Sequence, residues 1–333
     1  MATPAEAPQL QTARAAIPTA KALEYRLHAG ILFGVAGLLR RMGTERAVSV
    51  GGWIGRTLLA PLGRRSRSTL DTLRLAYPQL SDAEAARLLT GTYENIGRII
   101  AELAILERFV APQGWERFTV TGLDHLEAAR RSGKGLIIAT GHFANWEMIG
   151  VALHHLGVPY SAVTRPPNNP WVADWISAKR AAMGTHQQIP KGSDGTRRLF
   201  STLRRGEPVV MLIDQHLAEG IPAPLFGQPA MTTHAPATFA DKLDLLVLPM
   251  SVRRIGTESR FEVVFEPALA AARSGDAGRD VLQLTTALNG FIEREVRRRP
   301  EHWLWMHRRF KPVQHLTRRA SRMVAPAGED GSV

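Results

Sequence analysis

Residues 141–147 read Gly-His-Phe-Ala-Asn-Trp-Glu, so that four residues separate His142 from Glu147. A neutral imidazole can take the proton of a hydroxyl near pH 7 as the oxygen attacks a carbonyl carbon. Its other ring nitrogen then needs an acceptor that fixes the tautomer and stabilises the imidazolium, and Glu147 is the candidate. The pair reads as general-base machinery for moving an acyl group onto an alcohol. Spacing alone favours a surface salt pair. The position favours a site, because the stretch follows an apolar run, opens with Gly141 and encloses Asn145 and Trp146. The chain has no cysteine and shows no G-x-S-x-G elbow, so direct transfer is favoured over an acyl-enzyme. The Gly-Lys-Gly at 133–135 lacks the spacing and the Ser or Thr of a phosphate-binding loop.

Such residues need a scaffold. Gly135–Thr140, Pro159–Thr164, Pro208–Ile213, Leu245–Val252 and Phe261–Phe265 are short β-rich runs. Apolar residues at three- and four-residue spacing predict helices over Trp146–Leu156, Pro170–Met183, Thr196–Arg205, Pro236–Leu245 and Arg279–Arg298. Strand–helix alternation predicts an α/β fold, with a mostly parallel central sheet flanked by helices. Ligands in such sheets lie beyond the carboxyl ends of the strands. There the chain places His142, Arg165, Asp214 with Gln215 and His216, and Arg253 with Arg254. A base, cations and a carboxylate thus fall on one predicted rim. His154, His155 and His216 have no metal-ligand partners at recognisable spacing, so they read as structural and no metal or cofactor is expected.

Residues 1–20 carry no apolar periodicity and read as a disordered arm; residues 317–333 read as a disordered tail. Residues 21–110 look helical, with a turn at Tyr77–Pro78 and an N-cap at Ser81. They form an N-terminal helical lead-in packed on an α/β body spanning 111–316. The 42 Lys and Arg against 30 Asp and Glu give a net charge of +12, which expects an anionic partner. No nucleic-acid fold signature accompanies it, so a membrane surface is the favoured one. Ala29–Leu39 and Ala47–Leu62 are apolar stretches closed or broken by Arg, shorter than the ~20 residues of a spanning helix. They suit helices lying in a membrane interface, and no cleavage-site pattern marks a signal peptide.

Further elements follow in a specific order: Asp214-Gln215, Leu225-Phe226-Gly227, Pro229-Ala230, and Trp303-Leu304-Trp305-Met306-His307-Arg308-Arg309-Phe310-Lys311. Together with Gly-His-Phe-Ala-Asn-Trp-Glu they make the chain resemble the late acyltransferases of bacterial lipid A biosynthesis, from about Ala29 to Lys311. The resemblance implies a donor thioester on acyl carrier protein or coenzyme A, and a lipid A precursor as acceptor. It implies work at the cytoplasmic face of the inner membrane. Carried over by position, His142 is the catalytic base, Glu147 its acidic partner, and Arg165 and Asp214 complete the polar site. Asn145, Gln215 and Arg254 are the remaining candidate substrate contacts. Another membrane acceptor, such as a phosphatidylinositol mannoside, an ornithine lipid or a lysophospholipid, is the rival expectation. A non-catalytic membrane adaptor is the rival of a different class.

Overall fold

Two adjacent parallel strands set the position of everything that follows. β2 (Leu136–Thr140) pairs with β5 (Val209–Leu212) in parallel, with Thr140 opposite Leu212. Both strands are apolar because both faces of the sheet are covered, and every β2 residue is buried. Two residues beyond the Thr140–Leu212 pair lie His142 and Asp214, so the register alone brings them side by side.

The structure, a computed structural model, describes residues 17–61 and 63–311, without the side chains of 63–68. The expected arm up to residue 16 and the expected tail lie outside the described residues. The lead-in comprises α1 (Thr19–Arg40), α2 (Thr44–Ile54), α3 (Gly63–Ala76), α4 (Asp82–Ala104) and the short α5 (Glu107–Val110). β1 (Phe118–Thr121) and α6 (Leu123–Arg131) precede β2, and α7 (Met148–His155) follows it. Then come β3 (Tyr160–Thr164), α8 (Pro170–Ala182), β4 (Thr185–Pro190), α9 (Ser193–Arg204) and β5. A hairpin of β6 (Ile221–Leu225) and β7 (Gln228–Thr232) leads to α10 (Ala235–Leu243), β8 (Leu246–Arg254), β9 (Phe261–Phe265) and α11 (Ala277–Arg298).

The main sheet has seven strands in the order β1-β9-β8-β2-β5-β3-β4, parallel except where β8 meets β9. The expected mostly parallel sheet flanked by helices is therefore observed, with one antiparallel pair near an edge. Two layers of core cover its faces. Met148, Val151 and Leu153 of α7 pack with Ile138, Leu248 and Met250 on one face; Ile137, Ala139 and Val247 meet Leu288 and Phe291 of α11 in the other layer.

Local chemistry explains the helix ends. Ser81 caps α4, with its hydroxyl accepting from the Glu84 N–H and the Glu84 carboxylate accepting from the Ser81 N–H. Asn169 caps α8 by accepting from the Trp171 N–H, and Pro170 supplies the preset first-turn φ. The crossing of α2 on α4 needs glycine: a Cβ on Gly51 would stand 2.5 Å from the Gly97 carbonyl oxygen.

Helix α1 is longer than the apolar stretch at its centre. Its 22 residues extend about 33 Å at 1.5 Å per residue, close to the ~30 Å of a bilayer's hydrocarbon core. It is long and apolar enough to cross a membrane. One side docks on α8, where Phe33 meets Trp175 and Asn169 donates to the Tyr25 carbonyl. The other side exposes Leu23, Leu27, Ile31 and Leu38, and Trp53 and Leu58 are exposed just beyond.

The segment Trp303–Lys311 turns its tryptophans into the core. Trp303, Trp305 and Arg309 are buried, and the tryptophans stack edge to face against each other beside Phe226. Phe226 and Gly227 form the two-residue turn of the β6–β7 hairpin, both at positive φ. The aromatic cluster and the Glu293 carboxylate, which accepts from the Phe226 N–H, hold this non-glycine residue there.

Candidate active site

The ring of His142 is paired with Asp214, not with Glu147. Nδ1 lies 2.7 Å from Asp214 Oδ1, and the His142 backbone N–H donates to Oδ2 at 2.7 Å. The Trp303 indole N–H donates to that same Oδ2, also at 2.7 Å. Burial opposes the charge on Asp214, but the charge and hydrogen bonds of His142 and the Trp303 donor outweigh it. They hold the carboxyl well below the ordinary carboxylate range. An ionised Asp214 requires Nδ1 to carry a proton, and in the neutral ring the lone pair is then on Nε2. The sequence expectation of a His142–Glu147 pair is corrected on this point.

Glu147 does other work. It sits at the start of α7, and its carboxylate takes a two-pronged pair from Arg180 of α8, at 2.6 Å and 3.0 Å. The Trp146 indole N–H also donates to it at 3.1 Å. Burial would lower the Arg180 guanidinium, but Glu147 more than compensates and keeps it above its ordinary value. The Trp146 ring meets the His142 ring edge-on, with centroids 4.9 Å apart.

Behind these groups lies a buried polar cluster. Glu102 of α4, fully buried, accepts from Asn145 at 2.8 Å, from Ser259 at 3.1 Å and from both Arg254 nitrogens, Nη2 at 2.8 Å. The Asn145 side-chain oxygen accepts from the Glu147 N–H at 3.1 Å. Asn145 and Arg254 therefore hold the turn between β2 and α7 from behind, and neither lines the cavity, against the expectation that they contact substrate. The turn needs holding: Ala144 has a φ of +41°, a left-handed conformation that costs a non-glycine residue roughly 1–3 kcal/mol. Its carbonyl accepts from Asn95 at 3.0 Å and its N–H donates to the His302 carbonyl at 2.9 Å.

In front of His142 lies a cavity of about 410 Å³, within the range of small-molecule sites. Trp146, Ile149, Tyr160, Met183 and Leu212 give it an apolar wall. Its polar margin carries His142, Glu147, Arg165, Arg180, Lys191 and Gln215. Burial and the neighbouring Arg165 both lower the Lys191 ammonium, so these two cations lie close together on a margin that also carries Arg180. Of the expected site residues, His142, Glu147, Arg165 and Gln215 reach the cavity; Asp214 stands behind His142. His216, read as structural, also lines it.

Sequence reasoning missed Glu102, Asn95, Arg180 and Lys191, because each acts from an element far along the chain. Trp303 and His307 were visible only as parts of a familiar segment. Their roles are now specific: Trp303 holds Asp214, and His307 lies 2.8 Å from the Gln215 amide nitrogen.

A parallel sheet thus presents an imidazole oriented by a carboxylate to a cavity with an apolar wall. Residues 18–312 match the family model described as bacterial lipid A biosynthesis acyltransferase, and the chain belongs to that family of O-acyltransferases. Among its relatives is a lipid A biosynthesis palmitoleoyltransferase of Escherichia coli strain K12, 26% identical over 253 residues, which are 75% of this chain and 80% of that one. A lipid A biosynthesis lauroyltransferase of the same strain is 23% identical over 283 residues, 84% and 89% of the two chains. A phosphatidylinositol mannoside acyltransferase of Mycobacterium tuberculosis strain H37Rv is 28% identical over 189 residues, 55% and 57% of the two.

Proposed function

We propose that this protein transfers a fatty acyl chain from a thioester, carried by acyl carrier protein or coenzyme A, to a hydroxyl of a lipid A precursor. The observation that carries this reading is the His142–Asp214 pair at the wall of an apolar cavity. Nε2 takes the hydroxyl proton, the freed oxygen attacks the thioester carbonyl, and the thiol leaves with that proton. Asp214 orients the ring and stabilises the imidazolium. Glu147 and Arg180 form a fixed charged wall beside the reacting atoms, and the apolar lining takes the acyl chain. Arg165 and Lys191 meet anionic groups of the substrates. The deciding experiment is mass spectrometry of lipid A from a strain lacking the gene. One acyl mass should disappear. Unchanged lipid A with an acyl mass missing from a glycolipid or phospholipid would move the acceptor to that class, the direction in which the mycobacterial relative points.

The workplace in this reading is the cytoplasmic face of the inner membrane, with α1 entering the lipid. Its exposed apolar side supports this, as does its docking on α8, the helix that carries Arg180 to the cavity. Burying one Leu or Ile side chain contributes about 1.5–3 kcal/mol. Replacing Leu27 and Ile31 with Glu should therefore lower partition onto phosphatidylglycerol vesicles by on the order of 10²-fold or more. Sedimentation with vesicles reads this out, and undiminished pelleting of the folded double variant would refute the assignment.

A further inference from the structure

Gln215 follows Asp214 directly and is the group that meets the lone pair of the base. Its amide nitrogen lies 3.2 Å from His142 Nε2 and 2.8 Å from His307 Nε2. The two rings stand 5.5 Å apart, with the amide between them. Asp214 holds a proton on His142 Nδ1, so in the neutral ring that a general base requires, Nε2 is an acceptor. Burial pushes His307 down to about 4, so that ring is neutral too, and with its proton on Nδ1 its Nε2 accepts as well. Two facing acceptors require a donor between them, which turns the NH₂ of Gln215, not its oxygen, toward the reacting atoms. Several neighbouring N–H donors are committed: the His142 backbone N–H and the Trp303 indole to Asp214, and the Trp146 indole and Arg180 Nε and Nη2 to Glu147.

We propose that Gln215 donates the hydrogen bond that stabilises the oxyanion of acyl transfer, and that His307 is the positioning residue that keeps the amide nitrogen turned inward. This rests on the acyl-transfer reading above. In the resting site one Gln215 N–H points at His142 Nε2. The acceptor hydroxyl gives its proton to Nε2 while its oxygen bonds to the thioester carbonyl carbon, and the carbonyl electron pair moves onto oxygen. Nε2 now carries a proton and no longer accepts, so the Gln215 N–H loses its partner at the moment a negative oxygen forms nearby. The amide turns to that oxygen while its second N–H stays on His307. Collapse restores the carbonyl, breaks the carbon–sulfur bond, and the leaving thiolate takes the proton from Nε2. An ester and a thiol result, with no change in oxidation state. The donor is thus made available by the same proton transfer that creates the need for it.

The test is steady-state acyl transfer from dodecanoyl acyl carrier protein to a lipid A precursor with free hydroxyacyl chains, using the full chain in detergent micelles. Gln215→Leu should lower kcat by about 10²–10³-fold with KM changed only a few-fold. Gln215→Glu, of nearly the same shape, should lower kcat at least as far. It should also move the acid limb of the kcat–pH profile upward by about a unit or more, because a carboxylate beside Nε2 favours the imidazolium. His307→Leu should lose kcat, and His307→Gln, which keeps a neutral acceptor, should recover most of it. A kcat within threefold of wild type in Gln215→Leu, or a loss confined to KM, overturns the oxyanion role. Equal losses in His307→Leu and His307→Gln overturn the positioning role. His142→Ala in the same assay separates the two levels. If it is inactive, such results bear on Gln215 and His307 alone, whereas an active His142→Ala overturns the general-base reading itself.

Discussion

Asp214→Asn should lower kcat by about 10³–10⁴-fold while the protein remains folded. The size follows from the geometry of the carboxylate. Two N–H groups, the His142 backbone and the Trp303 indole, converge on Oδ2. In the Asn variant they would hold the amide oxygen on that side, leaving the NH₂ to face Nδ1. The ring would then have to accept at Nδ1 and carry its proton on Nε2, where a base needs its lone pair. His142→Ala, which removes the base, should cost about 10²–10⁴-fold. Because the two residues act as one unit, the double variant should be scarcely worse than the more damaged single one. Glu147→Gln should also be severely impaired, but by freeing Arg180, so its loss should multiply with that of Asp214→Asn. Single-turnover kinetics of the three single variants and the two double variants checks the pattern. A folded Asp214→Asn protein that keeps kcat within tenfold would remove the dyad from the mechanism.

The second large effect is on stability. Glu102→Gln should destabilise the fold by about 3–5 kcal/mol, because it leaves the Arg254 guanidinium buried without a countercharge. Arg254→Met should be costly for the converse reason, stranding the Glu102 carboxylate among Asn145 and Ser259. Replacing both, as Glu102→Gln with Arg254→Met, should recover much of the loss, since no unpaired charge then remains buried. Urea unfolding read by circular dichroism gives the comparison. If the double variant is as unstable as the sum of the singles, the cost comes from lost packing rather than from an uncompensated charge. The same singles should also depress kcat beyond any unfolding, since Asn145 reaches from Glu102 to the Glu147 N–H.

The parts of this molecule that a linear reading reaches are those written in short stretches of chain. The runs around β2, β3, β5, β8 and β9 are apolar and bounded by turn residues, and each is a strand within a residue or two of expectation. β4, with the sequence Thr-His-Gln-Gln-Ile-Pro, is a half-exposed edge strand and carries too little apolar pattern to be seen. The β6–β7 hairpin contains Pro222, Pro224 and Pro229, residues that argue against a strand until the pairing is known. The site follows the same division. His142 and Asp214 were each visible as residues beyond a strand end, whereas their partnership depends on the β2–β5 register. Glu147 was assigned to the nearest histidine because its true partner, Arg180, arrives from the helix after the next strand. Asn145 and Arg254 were read as substrate contacts because nothing local in the chain announces Glu102, 43 residues before one and 152 before the other.

The wiring of Asp214 also sets a clock on biosynthesis. The base comes from residue 142, its carboxylate partner lies 72 residues later, and the indole that steadies that carboxylate lies 89 residues later still. Contacts of such separation form late, after the loop between them has closed. A nascent chain that has not yet synthesised Trp303 or His307 carries a histidine with an unsupported partner. On the proposed mechanism, competence therefore arrives with the last stretch of the body to leave the ribosome, and an unfinished chain stays chemically silent.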